Sequence, residues 1–251
     1  FLYGADSKPT LDVKQGTLTM HVDASLEKVR PIILGAVVRG VHTGTDEDEH
    51  EAFIKALMDH QEKLHFALGR GRKRASIGVH DLSVLSPPFK VKTVPSTESF
   101  TPLAMEEPMS IESILQHHPK GIDYAHLLEG MSEFPVIVDS TGAVLSFPPI
   151  INGNHTTVTS KTKDFFIDVT GWDRRACESS LMLIASQLEE RGGTVESVEI
   201  TGFDGTVEHL PNPTPIEHRV TQRLLDGLLG RSLSDEEIHS AITRMGGQFA
   251  G

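Results

Sequence analysis

A single cysteine, Cys177, stands among 251 residues. One thiol excludes an internal disulfide and a cysteine-rich zinc site. No apolar run is long enough to cross a bilayer, and no secretory leader opens the sequence. Positive charge is scarce, since 23 Lys and Arg face 35 Asp and Glu for a net charge of −12. That balance argues against a general nucleic-acid binder. Three familiar catalytic strings are missing as well: the phosphate loop G-x-x-x-x-G-K-[ST], the zinc motif H-E-x-x-H and the elbow G-x-S-x-G. What remains is the expectation of a soluble, cytoplasmic protein with no metal site and with neither membrane nor DNA as partner.

Hydrophobic residues make up 38% of the chain, enough for a substantial core. The length suits one large domain, or one domain with a small appendage. Thr17 to Val22 alternates as a strand does, and Pro31 to Val41 is the continuous β-branched run of a strand covered on both faces. A helix is expected from Asp46 to Leu68, with Phe53, Leu57, Gln61, Leu64 and Leu68 on one face and Gly69 as its stop. Strands are expected over Arg74 to Leu82 and Lys90 to Val94. Two short helical patterns between Ser110 and Glu129 break at Pro119. A hairpin follows, Pro135 to Val138 and Ala143 to Phe147, joined by Asp-Ser-Thr-Gly. Asp164 to Gly171 reads as a buried strand, Asp173 to Arg191 as a helix and Thr194 to Thr201 as a half-buried strand.

Beyond Pro211 to Pro215, helices are expected over Ile216 to Leu229 and Asp235 to Met245, the second opened by the capping box Ser234 and Glu237. The pattern predicts a mixed α/β (α+β) fold in which helices flank a mixed sheet. Its divisions are an N-terminal strand segment at 1–25, a main domain at 26–210 and the helical start of a following module at 211–251.

Charge is uneven along the chain. Between Gln61 and Pro95 lie seven Lys and Arg against two acids, while Asp46 to Glu51 is acidic. Phosphate binding needs a local positive surface, not a basic total. His60 with His65, or His117 with His118, can be drawn as metal ligands, but helix-face and surface histidines are far commoner. Cys177 sits beside Ala176 on a helix and reads as structural.

Two strings point to chemistry. In Val144 to Asn152, the sequence VLSFPPIIN, two prolines end a strand and are expected to project Asn152 away from the sheet. In IDVTG, Asp168 and Thr170 are two apart on a strand and share a face with Phe166. A carboxylate and a hydroxyl on an otherwise apolar strand need partners if buried. A pocket for a ligand with a polar tip supplies such partners; solvent is the alternative.

The strings RPIILGAVVRGV, QEKLH, IGVHDL, FPVIVDSTGAVLSFPPIINGNHT and FFIDVTGWD stand in the order and spacing of the archaeal and eukaryotic-type phenylalanyl-tRNA synthetase beta subunits. The chain resembles the aminoacyl-tRNA editing module of that family from about Arg30 to Asp173. Its tail, LSDEEIHSAITRMG, resembles the start of the next module. The resemblance implies hydrolysis of tyrosine wrongly attached to tRNA(Phe). Carried over residue by residue, it places Ile137, Ser146, Asn152, Asp168 and Thr170 around the tyrosine, with Asn152 and Asp168 in the catalytic roles. Arg39, Lys63 and His80 would hold the tRNA end. Backbone N–H groups near Gly153 would steady the oxyanion, with water rather than a protein nucleophile attacking the ester. No cofactor is expected in this segment; ATP and magnesium belong to the complete enzyme, an alpha2beta2 assembly with the alpha subunit. Trp172 and Ser83 depart from the family's pattern at the rim. The competing readings are a non-catalytic tRNA-positioning module of the same synthetase, a free-standing editing protein and an unrelated α/β binding domain.

Overall fold

The computed structural model describes residues 11–214, 216–245 and 247–248. Residues 1–10 of the expected N-terminal strand segment lie outside the described residues. The fold is mixed α/β, and the chain divides into two units.

The larger unit, Val13–Asn212, opens with β1 (Val13–Lys14), β2 (Thr19–Val22), β3 (Ile32–Arg39), α1 (Glu47–Phe66), β4 (Ala75–Asp81) and β5 (Phe89–Val94). Next come β6 (Ser99–Phe100), β7 (Met109–Ser110), α2 (Ile111–His117), α3 (Pro119–Tyr124), β8 (Phe134–Val138), β9 (Val144–Phe147) and β10 (Ile151–Asn152). It closes with β11 (Phe165–Gly171), α4 (Arg174–Glu189), β12 (Thr194–Thr201) and β13 (Val207–Leu210).

Eleven of these strands form one sheet in the order β10-β9-β8-β5-β2-β12-β3-β11-β4, with β1 and β13 also paired to β12. β12 is the seam. Its first half lies antiparallel to β3, and its second half runs parallel to β2. β1 and β2, both before residue 26, are therefore built into this sheet.

Local chemistry explains the helices. The Asp46 side chain accepts from the Glu49 N–H at 2.9 Å, and three acids in the first turn suit the positive end of α1. Asp173 caps α4 through the Ala176 N–H at 3.0 Å. Pro119 falls at the first turn of α3, where its missing N–H costs nothing. α4 covers β3 and β11, and Phe53 of α1 meets Phe165 of β11 edge-on at 6.5 Å. Alternation along β11 turns Phe166, Asp168 and Thr170 to the other face. A second core gathers under β8 and β9, where Phe134, Phe147 and Ile150 pack with Ile111 and Ile114 of α2.

One expectation is corrected. The Pro148-Pro149 pair, joined by a cis peptide, does not send Asn152 away from the sheet. The Ile150 N–H bonds the Phe147 carbonyl at 2.8 Å, closing a tight turn. The chain then re-enters the sheet as β10, with Asn152 opposite Ser146. Prolines end a ladder, but a turn that retains one hydrogen bond can start the next strand immediately.

In the smaller unit, α5 (Gln222–Leu229) and α6 (Asp235–Arg244) are amphipathic. α5 starts six residues later than expected, because Thr221 supplies the side-chain cap at the Leu224 N–H. Ser234 and Glu237 form the expected capping box.

Candidate functional site

The two ends of the sheet's strand order, β9-β10 and β11-β4, contribute to one cavity of about 300 Å³, with α1 along its side. Ser146 and Asn152 enter from β9 and β10, and the Ser146 hydroxyl donates to Asn152 Oδ1 at 3.3 Å. Asp168 enters from β11. Its carboxylate occupies the space that a side chain at Gly78, opposite it on β4, would take; a Cβ there would overlap Asp168 Oδ2. A glycine in the middle of a strand thus makes room for a neighbouring acid.

Behind Asp168 lies His80, wholly buried and stacked on Phe166 at 5.9 Å. Thr156 has one hydroxyl proton, which goes to the Gly153 carbonyl at 3.0 Å. Its oxygen therefore accepts from His80 Nδ1 at 2.8 Å. With Nδ1 protonated, the 2.8 Å contact between His80 Nε2 and Asp168 Oδ2 requires another proton. The pair carries one proton more than a neutral imidazole with a carboxylate, and is net neutral. The order Thr-His-Asp looks like a nucleophilic triad, but its polarity is wrong. His80 donates to Thr156 and cannot also take the threonine's proton. The chain orients groups instead.

The neighbouring polar cluster is equally closed. Arg30 is only 2% exposed; its guanidinium donates to Thr170 Oγ1 at 2.7 Å, the Thr170 carbonyl at 2.8 Å, Ser76 Oγ at 3.1 Å and the Arg72 carbonyl at 3.2 Å. Burial pulls its pKa down to about 10, so it stays charged at neutral pH. β4 is the last strand of the sheet's order, and side chains of α1 cover its edge. The Ile77 carbonyl accepts from Gln61 Nε2 at 2.7 Å, and the Ile77 N–H donates to His65 Nε2 at 2.8 Å. Accepting at Nε2 leaves the His65 proton on Nδ1, 3.6 Å from Glu62 Oε1. That N–H, then Arg72 and Lys120, hold the Glu62 carboxyl at about 2. Burial pushes His65 below the ordinary histidine range. Arg72 donates to Glu62 at 2.6 Å and to the carbonyls of Pro149 and Ile150 at 3.1 and 2.9 Å, with Tyr124 under its guanidinium. It ties the Pro-Pro turn to the wall of the cavity.

Of the residues singled out from sequence, Ser146, Asn152 and Asp168 line the cavity. Ile137 is fully buried directly across β8–β9 from Ser146, one strand behind the lining. Thr170 bonds Ser76, which does line the cavity, and is itself covered by Arg30. His80 is too buried to meet a phosphate and instead holds Asp168. Arg39 lies at the end of β3 in an ion pair with Glu196 at 3.0 Å. Lys63 is exposed on α1, next to lining Glu62. Four backbone N–H groups near Gly153 are already engaged. The Gly153 N–H donates to the Leu145 carbonyl at 2.7 Å, and those of Asn154, Thr156 and Thr157 are similarly engaged. Cys177 is buried, with its thiol pushed up to about 12, which makes it inert. Among the described residues no cluster of metal-ligating side chains occurs, and no helix is long and apolar enough to cross a membrane.

Sequence reasoning missed Arg30, His65, Arg72 and Thr156. Gln61 gave a usable signal, being a polar residue on the apolar stripe of α1.

A mixed sheet whose two ends line one small-molecule-sized cavity with polar residues makes this an α/β domain of the kind that holds ligands in such cavities. The chain belongs to the B3/4 domain family, whose model matches residues 30–202. It is similar to the phenylalanine–tRNA ligase beta subunit of Methanococcoides burtonii, 43% identical over 234 residues that cover 93% of this chain and 42% of that protein. The beta subunit of Archaeoglobus fulgidus is 43% identical over 231 residues, covering 92% of this chain and 41% of the relative. The chain thus spans less than half the length of the curated relatives it matches. The crystal structure of an N-terminal fragment of the phenylalanyl-tRNA synthetase beta-subunit from Pyrococcus horikoshii aligns with TM-score 0.83 and 36% identity, over 93% of this chain and 65% of that one.

Proposed function

We propose that the cavity is the editing site of a phenylalanine–tRNA ligase beta subunit and hydrolyses the ester of tyrosine mischarged onto tRNA(Phe). The observation that carries this reading is the meeting of Ser146, Asn152 and Asp168 from opposite ends of the sheet in one cavity of about 300 Å³. Apolar walls from Met58, Ile151 and Val79 suit an aromatic ring. Because Ser146 satisfies Asn152 Oδ1, the Asn152 amide N–H groups remain for a phenol oxygen.

A synthetic pocket shaped for phenylalanine refuses an added hydroxyl by only about 10²-fold. A second site that hydrogen-bonds the hydroxyl discriminates by roughly 10⁴ or more, since phenylalanine leaves its polar groups unpaired. Asn152 and Asp168 place the aminoacyl group while water attacks the ester carbonyl, assisted by the neighbouring ribose hydroxyl. No covalent intermediate forms on Thr156, whose proton is already committed. On the same reading, aminoacylation with its ATP and magnesium belongs to the complete cytoplasmic alpha2beta2 synthetase.

The test is release of tyrosine from mischarged tRNA(Phe) by the purified protein. Hydrolysis of the tyrosyl ester with sparing of the phenylalanyl ester is expected. Binding of both tRNAs without hydrolysis would leave the non-catalytic positioning module as the correct reading.

A further inference from the structure

We propose that the end of α1 and the turn after it form a platform for single-stranded RNA, on which Phe66 stacks a base while Lys63, Arg70 and Lys73 hold flanking phosphates. The inference rests on the editing reading for the identity of the strand, which is the unpaired 3′ end carrying the ester.

Phe66 is 81% exposed, more than any other large apolar side chain among the described residues. An aromatic ring left in water at a helix end stabilises nothing by itself, but it offers a face to a base. Lys63, Arg70 and Lys73 surround it in sequence and are exposed. Among the described residues, none of the three has a carboxylate at ion-pair distance. Arg39, Arg72, Arg74 and Arg174, by contrast, are all paired. Unpaired cations clustered on a chain of net charge −12 mark a local preference for an anion.

The backbone is shaped to keep these groups outside. Arg70, Gly71 and Arg72 have φ of 50°, 65° and 67°, a left-handed run that costs about 1 kcal/mol or more at each non-glycine residue. The turn is held by the Arg72 N–H on the His65 carbonyl at 3.1 Å and the Arg74 N–H on the Gly69 carbonyl at 2.8 Å. Its effect is a division of labour within one segment. Glu62, His65 and Arg72 line the cavity, while Lys63, Phe66, Arg70 and Lys73, interleaved with them, do not. Phe66 lies one helical turn beyond Glu62 on the same strip of α1. A strand stacked there has its next nucleotide at the cavity rim.

The experiment is fluorescence anisotropy of a labelled, uncharged RNA hexamer ending in CCA, titrated with the protein at several salt concentrations. Phe66→Ala is expected to weaken binding about tenfold. Replacing Lys63, Arg70 and Lys73 together by alanine should lower the slope of log K against log salt by about 2, near 0.7 per phosphate contact. Duplex RNA of equal length should compete poorly, because its bases are already stacked. All the replaced side chains are exposed, and unchanged melting temperatures will confirm folding. Absence of binding by the parent protein, an unaltered affinity in Phe66→Ala, or an unaltered salt slope in the triple variant would each overturn the platform. Hydrolysis by the parent protein separates the two proposals: intact RNA binding with no release of tyrosine from mischarged tRNA(Phe) would sink the editing assignment and leave the platform standing.

Discussion

The floor of the cavity and its rim solve opposite problems. At the floor, Asp168, His80, Thr156, Arg30 and Thr170 are buried, and each is fixed by a named partner. At the rim, Lys63, Arg70 and Lys73 are exposed and unpaired, while Glu62 gathers His65, Arg72 and Lys120 about one half-exposed carboxylate. Buried polar groups are expensive unless every one is satisfied, so the floor has one arrangement and can measure a ligand's shape. Exposed charges are screened and mobile; they attract without discriminating. On the proposed reading, specificity belongs to the first region and affinity to the second.

The sharpest way to break that division is at Arg30. Arg30→Leu strips hydrogen bonds from Thr170, Ser76 and two carbonyls at once. An unsatisfied buried group costs about 1–3 kcal/mol. A loss of about 3–5 kcal/mol is expected in urea denaturation, whereas Lys73→Ala at the rim should move the midpoint within error. Equal effects at the two positions would erase the distinction.

Asn152→Ala comes next. It removes a donor facing the cavity without orphaning a buried partner, since Ser146 Oγ can turn elsewhere. Tyrosyl-ester hydrolysis should drop between tenfold and a hundredfold, the worth of about 1.5–3 kcal/mol, with little change in stability. Retained hydrolysis would remove Asn152 from the site.

These two residues also show how far the sequence could be read. Long elements were legible because a period of 2 or 3.6 needs several residues to declare itself. β1, β6, β7 and β10 are two residues long, have no period, and escaped. Asn152 was conspicuous as a polar residue after two prolines, yet its direction was misjudged because register across a turn depends on the turn's own hydrogen bond. Asp168 stood out on an apolar strand. Arg30 did not, because its partners lie 42 to 140 residues away. Arg72 was hidden inside a basic run that looks uniformly solvated, although its carbonyl partners sit 77 and 78 residues further on.

His80 tests the floor from within. The hydrogen-bond pattern puts a proton on Nδ1, so a long-range ¹H–¹⁵N spectrum should show that nitrogen protonated. A proton on Nε2 alone would show that Thr156 donates to the ring, leaving the Gly153 carbonyl with the Thr156 N–H as its partner. His80→Ala should cost about 1–3 kcal/mol by leaving Asp168 and Thr156 unpaired. It should also slow tyrosyl-ester hydrolysis, whereas His80→Gln, which can donate to one of the two, should recover part of the loss.

The smallest effect lies where floor meets rim, at His65. Burial lowers its pKa, so the unfolded chain binds the proton more tightly than the folded one does. Stability must then be undiminished above the unfolded value of about 6.5 and decline as pH falls below it, levelling off once the folded histidine also protonates. Glu62 contributes in the same direction at much lower pH. Its carboxyl is held at about 2, so its share is present above the ordinary glutamate range, declines as pH falls below that range and is gone below about 2. His65→Gln removes the first of these and weakens the second, because the His65 N–H is the chief group holding the Glu62 carboxyl down. In this variant the melting temperature should fall less between pH 7 and 5 than in the parent, and the acid-induced loss nearer pH 3 should shrink but persist, since Arg72 and Lys120 still face Glu62. A parent protein whose melting temperature is flat from pH 7 to 5 would mean that His65 is hydrated in solution, and the edge of β4 would then be open where the structure closes it.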